Sequence, residues 1–427
     1  MKISIDIINE ITKYLDIRTI IKLSKCSKSF KQYVKVVNVT NIDSLSIKLT
    51  DEILKLPIFD NLKNLYASDN PNITDDGIIR FKLIKLNASN NSMITDNGIK
   101  GMISLKILNA FSNQKITDEG IKNLNLIKLN ASLNPNITNH GIKNLKLIKL
   151  NASYNPNITD QGIKILNLII LDASDNPNIT NVSWMTNLQK LYARDFCGIN
   201  DQGIKNLNLI YLNASNNSKI TNVSWMIKLR ILKANKYSGI NDQGIKNLNL
   251  IYLDASNNPN ITDVSMMTKL KILYAMGNSG INNQAIKNLN LIELYASNNP
   301  NITDVSMMTK LTILYADNNS GIDDKGIKNL ILKSLHVSNN PKITDVSWMI
   351  SLIILYADNN SGIDDKGIQK LTLKLLDASN NPKITDVSWM NSLQILYASG
   401  NSGINNNSIK NLKLRVLDAL NNPLIFL

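Results

Sequence analysis

From residue 62 onward the hydrophobic positions fall into one phrase, L-x-x-L-x-A, that recurs 18 times at spacings of 20 to 22 residues. The first Leu (Leu62 to Leu414) and the second (Leu65 to Leu417) are present in every copy, as is an Ile six residues after the Ala (Ile73 to Ile425). The Ala itself gives way once, to Val337. Alternation of apolar and polar residues within the phrase predicts a short strand buried on one face. So short a strand cannot bury its apolar side alone. Neighbours must stack, and the unbroken columns predict a core running along a solenoid.

The polar positions say how each unit turns. Three residues after the Ala stands Asn in 16 of 18 copies, Phe196 and Tyr237 being the departures. A carboxamide both donates and accepts, so a column of Asn at the strand exits can bond the backbone groups that leave the sheet ladder. Nine of the ten prolines follow that Asn directly, where they hold the chain extended. Units of this length leave no room for a long return helix. ITDxGIKxL and ITDVSWM therefore predict short 3₁₀ or single-turn helices capped by Thr or Asp. From residue 174 the period doubles: Trp184, Trp225, Met266, Met307, Trp348 and Trp389 recur every 41 residues, as do Gly198, Gly239, Gly280, Gly321, Gly362 and Gly403. The Trp and Met column is expected to pack under the return segment. Written out, L-x-x-L-x-A-x-x-N-x-x-I resembles the leucine-rich repeat with its third Leu reduced to Ala, and ITDVSWMTKLxIL is similar in repeat grammar to bacterial internalins. The resemblance implies an α/β solenoid, with a parallel sheet on the concave side and short helices on the convex side.

Residues 3 to 34 break the pattern. Ile7, Ile8, Ile11, Tyr14 and Leu15 fall at helical spacing, followed by Ile20, Ile21 and Leu23, then Phe30 and Val34. The segment resembles an F-box through Glu10 and Ile11, Tyr14 to Asp16, Ile20, Ile21, Leu23 and Ser24, and Lys28 with Phe30 in place of Trp. Ser4, Ile17 and Ser27 depart from the Pro, Pro and Cys usual there. The resemblance implies that Ile7, Ile8, Ile11, Leu15, Ile20, Ile21 and Phe30 dock on a Skp1-type adaptor of a cullin ubiquitin ligase. The expected division is an F-box-like helical domain at 1–45, a degenerate capping repeat at 46–61 and the solenoid at 62–427. The helices would also cap the first repeat, which a solenoid needs in any case.

Composition narrows the class. Asn reaches 67 of 427 residues, and with the F-box pattern this skew suits a giant virus of amoebae or an AT-rich protist. Two Cys and two His supply neither a disulfide framework nor a metal cluster. No nucleophile stands near His140 or His336, both read as surface variants, and no Gly-rich phosphate loop occurs. Neither enzyme activity nor a cofactor is expected. The charged N-terminus is not a signal peptide and no run approaches 18 apolar residues, so a reducing, cytoplasmic setting is expected, in a host cell if the source is viral. The net charge of +14 is spread over single lysines, including the row Lys100 to Lys410 in the GIKxL phrases. Without Arg or aromatic clustering, neither nucleic acid nor membrane is expected as a partner.

Function is left to the faces. The residue between the second Leu and the Ala points away from the core. These residues form one lane: Tyr66, Asn87, Asn109, Asn130, Asn151, Asp172, Tyr192, Asn213, Lys233, Asp254, Tyr274, Tyr295, Tyr315, His336, Tyr356, Asp377, Tyr397 and Asp418. Seven of the 13 Tyr lie in it, and Tyr gives contact area and a hydrogen bond together. The expected partner groove runs along Asp254, Tyr274, Tyr295, Tyr315, Tyr356, Asp377 and Tyr397, facing solvent. A substrate-recruiting subunit is the leading expectation, and a leucine-rich-repeat scaffold or inhibitor with no ubiquitin link is its rival. At the other end, either Phe426 and Leu427 are expected to fold back over the Leu414 and Leu417 columns, or two chains are expected to meet end to end.

Overall fold

The computed structural model describes residues 15–27, 34–40 and 48–426. They form two compact units, Met1–Leu209 and Ile210–Leu427. In both, every L-x-x-L-x-A phrase yields a three-residue strand, from Asn64–Tyr66 to Val416–Asp418. The expected parallel β-solenoid of the leucine-rich-repeat type is thus what the chain adopts.

In the first unit, Asn38–Val39 pairs in parallel with Asn64–Tyr66, and pairing continues strand by strand to Lys190–Tyr192. In the second it runs from Tyr211–Asn213 to Val416–Asp418. The register sets Leu beside Leu, so the middle residue of each strand enters one column: Leu86, Leu171, Leu253 and Leu335 are fully buried. Ala88, Ile94 and Ile99 show how the strand exit and return segment add further buried columns in the same turn. Each buried aliphatic side chain contributes about 1.5–3 kcal/mol against exposure.

Return segments in the first unit are single-turn helices such as Asp75–Ile78 and Asp96–Ile99. Thr caps them, and an acid on the preceding turn ties the cap down: Thr95 donates its N–H and its hydroxyl to Asp75 at 2.7 and 2.5 Å. Asp51 does the same for Thr74, which joins the segment around Asp51–Leu54 to the repeats. In the second unit the VS[WM]M segments turn without a helix. Their core residue is the second of the pair: Met226, Met267, Met308 and Met349 are buried, while Met266 and Met307 are 85% and 79% exposed. The expectation that the Trp and Met column packs under the return segment is therefore wrong by one residue. Trp184, Trp225 and Trp348 are more than a third exposed as well.

The Asn column behaves as expected in the first unit. Asn91 donates Nδ2–H to the carbonyls of Ala67, Asn70 and Ile73, while its Oδ1 accepts from Met93 and Ile94. Asn113, Asn134, Asn155 and Asn176 repeat this. In the second unit only alternate members enter the ladder: Asn258, Asn299, Asn340 and Asn381 are buried, whereas Asn278, Asn319, Asn360 and Asn401 are exposed. At those alternate turns a buried Ser and a Gly take over, as where Gly321 N–H donates to the Asn299 carbonyl at 2.9 Å. Phe196 and Tyr237 sit at the same exposed positions, 80% and 83% open, so they interrupt nothing.

At the last strand the columns are partly open: Leu414 and Leu417 are half-buried, while Ala419 and Ile425 remain buried. Phe426 is 78% exposed, so it does not fold back over the end; Leu427 lies outside the described residues.

Candidate functional site

Of the expected adaptor contacts, Ile7, Ile8, Ile11 and Phe30 lie outside the described residues. Leu15, Ile20 and Ile21 fall on or beside the helix Ile17–Cys26. Asp16 caps this helix, accepting from the Thr19 N–H at 2.8 Å and its hydroxyl at 3.1 Å. Those hydrogen bonds hold the Asp16 carboxyl below its usual range. Ile20 and Ile21 are buried with Ile17, while Leu15, Thr19 and Leu23 are half-buried. On this helix, then, two of the expected contacts are buried.

The lane on the outer sheet face is formed as expected, but it is not one surface. In the first unit its carboxamides are occupied by local structure. Asn87, Asn109, Asn130 and Asn151 each accept the backbone N–H two residues on, at 2.9–3.1 Å. At the first strand position stand Lys85, Lys128 and Lys149 beside Asn87, Asn130 and Asn151, and Lys190 beside Tyr192, all four lysines exposed.

The second unit holds a continuous aromatic stack. Tyr274 and Tyr295 lie 3.8 Å apart, Tyr295 and Tyr315 4.5 Å, Tyr315 and His336 3.7 Å, and His336 and Tyr356 4.3 Å, with interplanar angles of 6–20°. Strand spacing sets this geometry: side chains in register stand about 4.8 Å apart, close to the thickness of stacked rings. Tyr252 leans in from the first strand position, 5.4 Å from Tyr274, and the Lys233 ammonium lies 5.8 Å above its ring. Facing neighbours rather than water, these tyrosines are half-buried, which corrects the expectation that they point freely to solvent. Burial raises the phenols of Tyr252, Tyr295, Tyr315 and Tyr356, so all stay protonated at neutral pH.

His336, expected as a surface variant, is a member of the stack. Its Nε2 lies 3.2 Å from Ser334 Oγ, and burial lowers its pKa to about 4, so the ring is neutral. Asp254 is buried, held by the Asn235 side chain at 2.5 Å and the Ser256 N–H at 3.1 Å; it is a floor of the lane rather than an open contact. Asp377 is half-buried between Tyr356 and Tyr397 and accepts from the Ser379 N–H at 3.0 Å. Burial pushes its carboxyl up, and so do Asp358 and Asp418 nearby. Counting Tyr along the lane located this site. Reading His336 as aromatic, with strands one spacing apart, would have revealed the stack.

Among the described residues no helix is long and apolar enough to cross a membrane. Residues 2–41 match the family model of the F-box domain. A comparison with curated proteins found no match. Among solved structures, the chain is similar to one in the crystal structure of the TLR13-ssRNA13 complex, with 20% identity and a TM-score of 0.50, covering 85% of this chain and 65% of that one. The functional domain of InlJ from Listeria monocytogenes gives 21% identity and a TM-score of 0.39 over 79% of this chain and 72% of that one. The mouse RP105/MD-1 complex gives 12% and 0.44 over 85% and 79%. At such identities the likeness speaks for fold alone. Solenoid and family match together describe an F-box domain at residues 2–41 followed by repeats of the leucine-rich type.

Proposed function

We propose that this chain is a substrate-recruiting F-box subunit of a cullin-type ubiquitin ligase, acting in the cytoplasm and catalysing nothing itself. Its N-terminal F-box segment docks on a Skp1-type adaptor, and the aromatic lane of the second unit holds the target protein. The observation that carries the reading is a pairing within one chain: an F-box match at residues 2–41 and, well beyond it, a stack of five aromatic rings from Tyr274 to Tyr356 on an outer sheet face. Aromatic side chains dominate interface energetics, and Tyr keeps a hydroxyl for the partner. The adaptor side uses Ile7, Ile8, Ile11, Leu15 and Phe30 with the half-buried Leu23, while Ile20 and Ile21 support the helix from beneath.

The test uses the intact chain and a purified Skp1-type adaptor. The adaptor should be retained, and Leu15→Asp with Leu23→Asp should release it. Tyr274, Tyr315 and Tyr356 changed together to Asn, the residue other turns carry in this lane, should abolish target recovery and leave the circular dichroism spectrum unchanged. Burial of Ile20 and Ile21 favours a second reading, a leucine-rich-repeat scaffold or inhibitor with no ubiquitin link. Failure of the intact chain to retain the adaptor would select it.

A further inference from the structure

Between Tyr315 and Tyr356 the lane holds a flat ring, the imidazole of His336, at 3.7 and 4.3 Å from its neighbours. Two strands further on the arrangement recurs with its middle ring missing: Tyr356, Asp377 and Tyr397 stand in register on adjacent strands. A carboxylate is shorter than an aromatic ring, so Asp377 fills only the floor of that layer. Among the described residues, Tyr356 has a ring partner on the His336 side alone. Tyr356 and Tyr397 are two strand spacings apart, about 9.5 Å, which is room for one flat group stacked on both.

The comparable site at the other end of the stack is already closed. There Tyr252 leans toward Tyr274, Lys233 lies over Tyr252, and Asp254 is buried beneath. The lane thus contains its own example of a cation resting on a tyrosine ring beside an aspartate. On the Asp377 strand the place of Tyr252 is taken by Leu375, and among the described residues the ion pairs found do not include Asp377.

Charge points the same way. From Tyr252 to Asp418 the outward strand positions include Asp254, Glu293, Asp377 and Asp418 but no Lys or Arg. Asp317 and Asp358 add carboxylates at the strand exits, while Lys271, Lys333, Lys374 and Arg415 stand at the strand entries. The chain as a whole carries +14, whereas the charged residues at the outward strand positions of this stretch are all acidic. No group of three or more His, Cys, Asp or Glu among the described residues is placed to hold a metal ion.

We propose that this face receives an extended, arginine-bearing segment of the target, with one guanidinium lying between Tyr356 and Tyr397 above Asp377. A guanidinium is flat, so it stacks on both rings, and its N–H groups donate to the carboxylate below. An ammonium matches the charge but not the stacking. Extended backbone sets alternate side chains along the lane, where the Tyr hydroxyls accept further donors. This inference rests on the reading of the lane as the target-binding face and names the target's chemistry.

Labelled octa-arginine, octa-lysine and octa-glutamate are titrated with the intact chain by fluorescence anisotropy, at low and at physiological salt. Octa-arginine should bind several-fold tighter than octa-lysine despite the chain's positive charge. Asp377→Asn should weaken it about tenfold, and so should Tyr356→Asn with Tyr397→Asn. Asn is the residue the lane carries at Asn87 and Asn130, where it keeps the bond to the backbone N–H two residues on, so these variants fold. Asp304→Asn removes the same charge from a return segment that carries Asn181 and Asn222 in equivalent turns, and should change nothing. The proposal is overturned if octa-arginine does not bind, if octa-lysine binds equally, or if Asp304→Asn weakens binding as much as Asp377→Asn. If target recovery is lost with the three-tyrosine variant but survives Asp377→Asn, the lane remains the target face and the arginine site is wrong.

Discussion

The two units bury the same columns and present different faces. In the first, Lys85, Lys128 and Lys149 stand beside Asn87, Asn130 and Asn151; in the second, Ile272, Ile313 and Ile354 stand beside Tyr274, Tyr315 and Tyr356. Leu at the middle of the strand fixes the stacking in both cases, so the flanking positions are free to change. The turns differ too. The first unit uses a ladder Asn at every turn from Asn91 to Asn176, and the second alternates Asn with a Ser-Gly turn. The two units therefore meet the same backbone hydrogen-bonding requirement in two ways, and each can be broken separately.

The largest effect is expected at the Gly of the alternate turn. A Cβ on Gly321 would stand 2.4 Å from the Pro300 carbonyl oxygen and 2.7 Å from that of Ile302, both backbone atoms. Gly321→Ala should cost about 3 kcal/mol or more, through strain and loss of the bond to Asn299. Gly101, where an added Cβ meets nothing within 4 Å, is the matched control and should stay within about 0.5 kcal/mol. Urea unfolding of both variants decides it, and equal midpoints would show that the alternate turn has slack.

Next comes the alternation itself. Asn299 bonds the carbonyls of Ala275 and Ile281 at 2.7 and 3.2 Å and accepts from Asn301 at 2.9 Å. Asn299→Ala leaves buried groups unpaired and should cost about 1–3 kcal/mol, while Asn278→Ala, at the exposed position, should cost almost nothing. Equal losses would restore the single Asn column that the sequence suggests.

That contrast shows what the sequence could and could not reveal. The Leu, Ile and Ala columns were legible because burial there repeats with every unit. Asn278 and Asn299 look alike in any alignment on the Ala. They differ only because Gly280 and Gly321 let the next turn's N–H reach a carbonyl, moving the buried place to Ser279 and Ser320. The Tyr lane was legible as a face, yet its stacking was not, because His336 reads as a lone histidine until the strands are one spacing apart. Trp348 and Met349 were misassigned for a related reason: the larger residue was taken for the core one, and the turn buries the second.

The stack supplies a smaller, pH-dependent difference between the units. With its folded pKa lowered to about 4 from an ordinary 6.5, His336 binds fewer protons folded than unfolded between those values. Its contribution is therefore complete above pH 6.5 and declines as pH falls toward 4. Discounted for its partial exposure, the loss should be about 1–2 kcal/mol. His336→Phe keeps a ring between Tyr315 and Tyr356 and removes the proton site. The wild type should lose stability relative to this variant between pH 7 and pH 4.5, whereas the raised Asp317 and Asp377 carboxyls act in both and cancel. Parallel pH profiles would place the imidazole in water.

The smallest effect tests the turn that both units share. Two residues after the Ala the backbone is left-handed in nearly every copy, at φ values near +55°, such as +53° at Asn90 and +60° at Asn298. Asn and Gly accept this conformation readily; Leu133, at φ +52°, does not. Its side chain is 42% exposed, so little apolar burial offsets the strain. Leu133→Asn should stabilise the first unit by about 0.5–1 kcal/mol, an Asn gaining the left-handed tolerance without the unfolded-state entropy that Gly would add. Asn298→Leu is the reverse experiment in the second unit and should destabilise by a similar amount. If Leu133→Asn is neutral while Asn298→Leu is costly, then packing of Leu133 on the first unit's face matches its strain, and the two units differ at this turn as well.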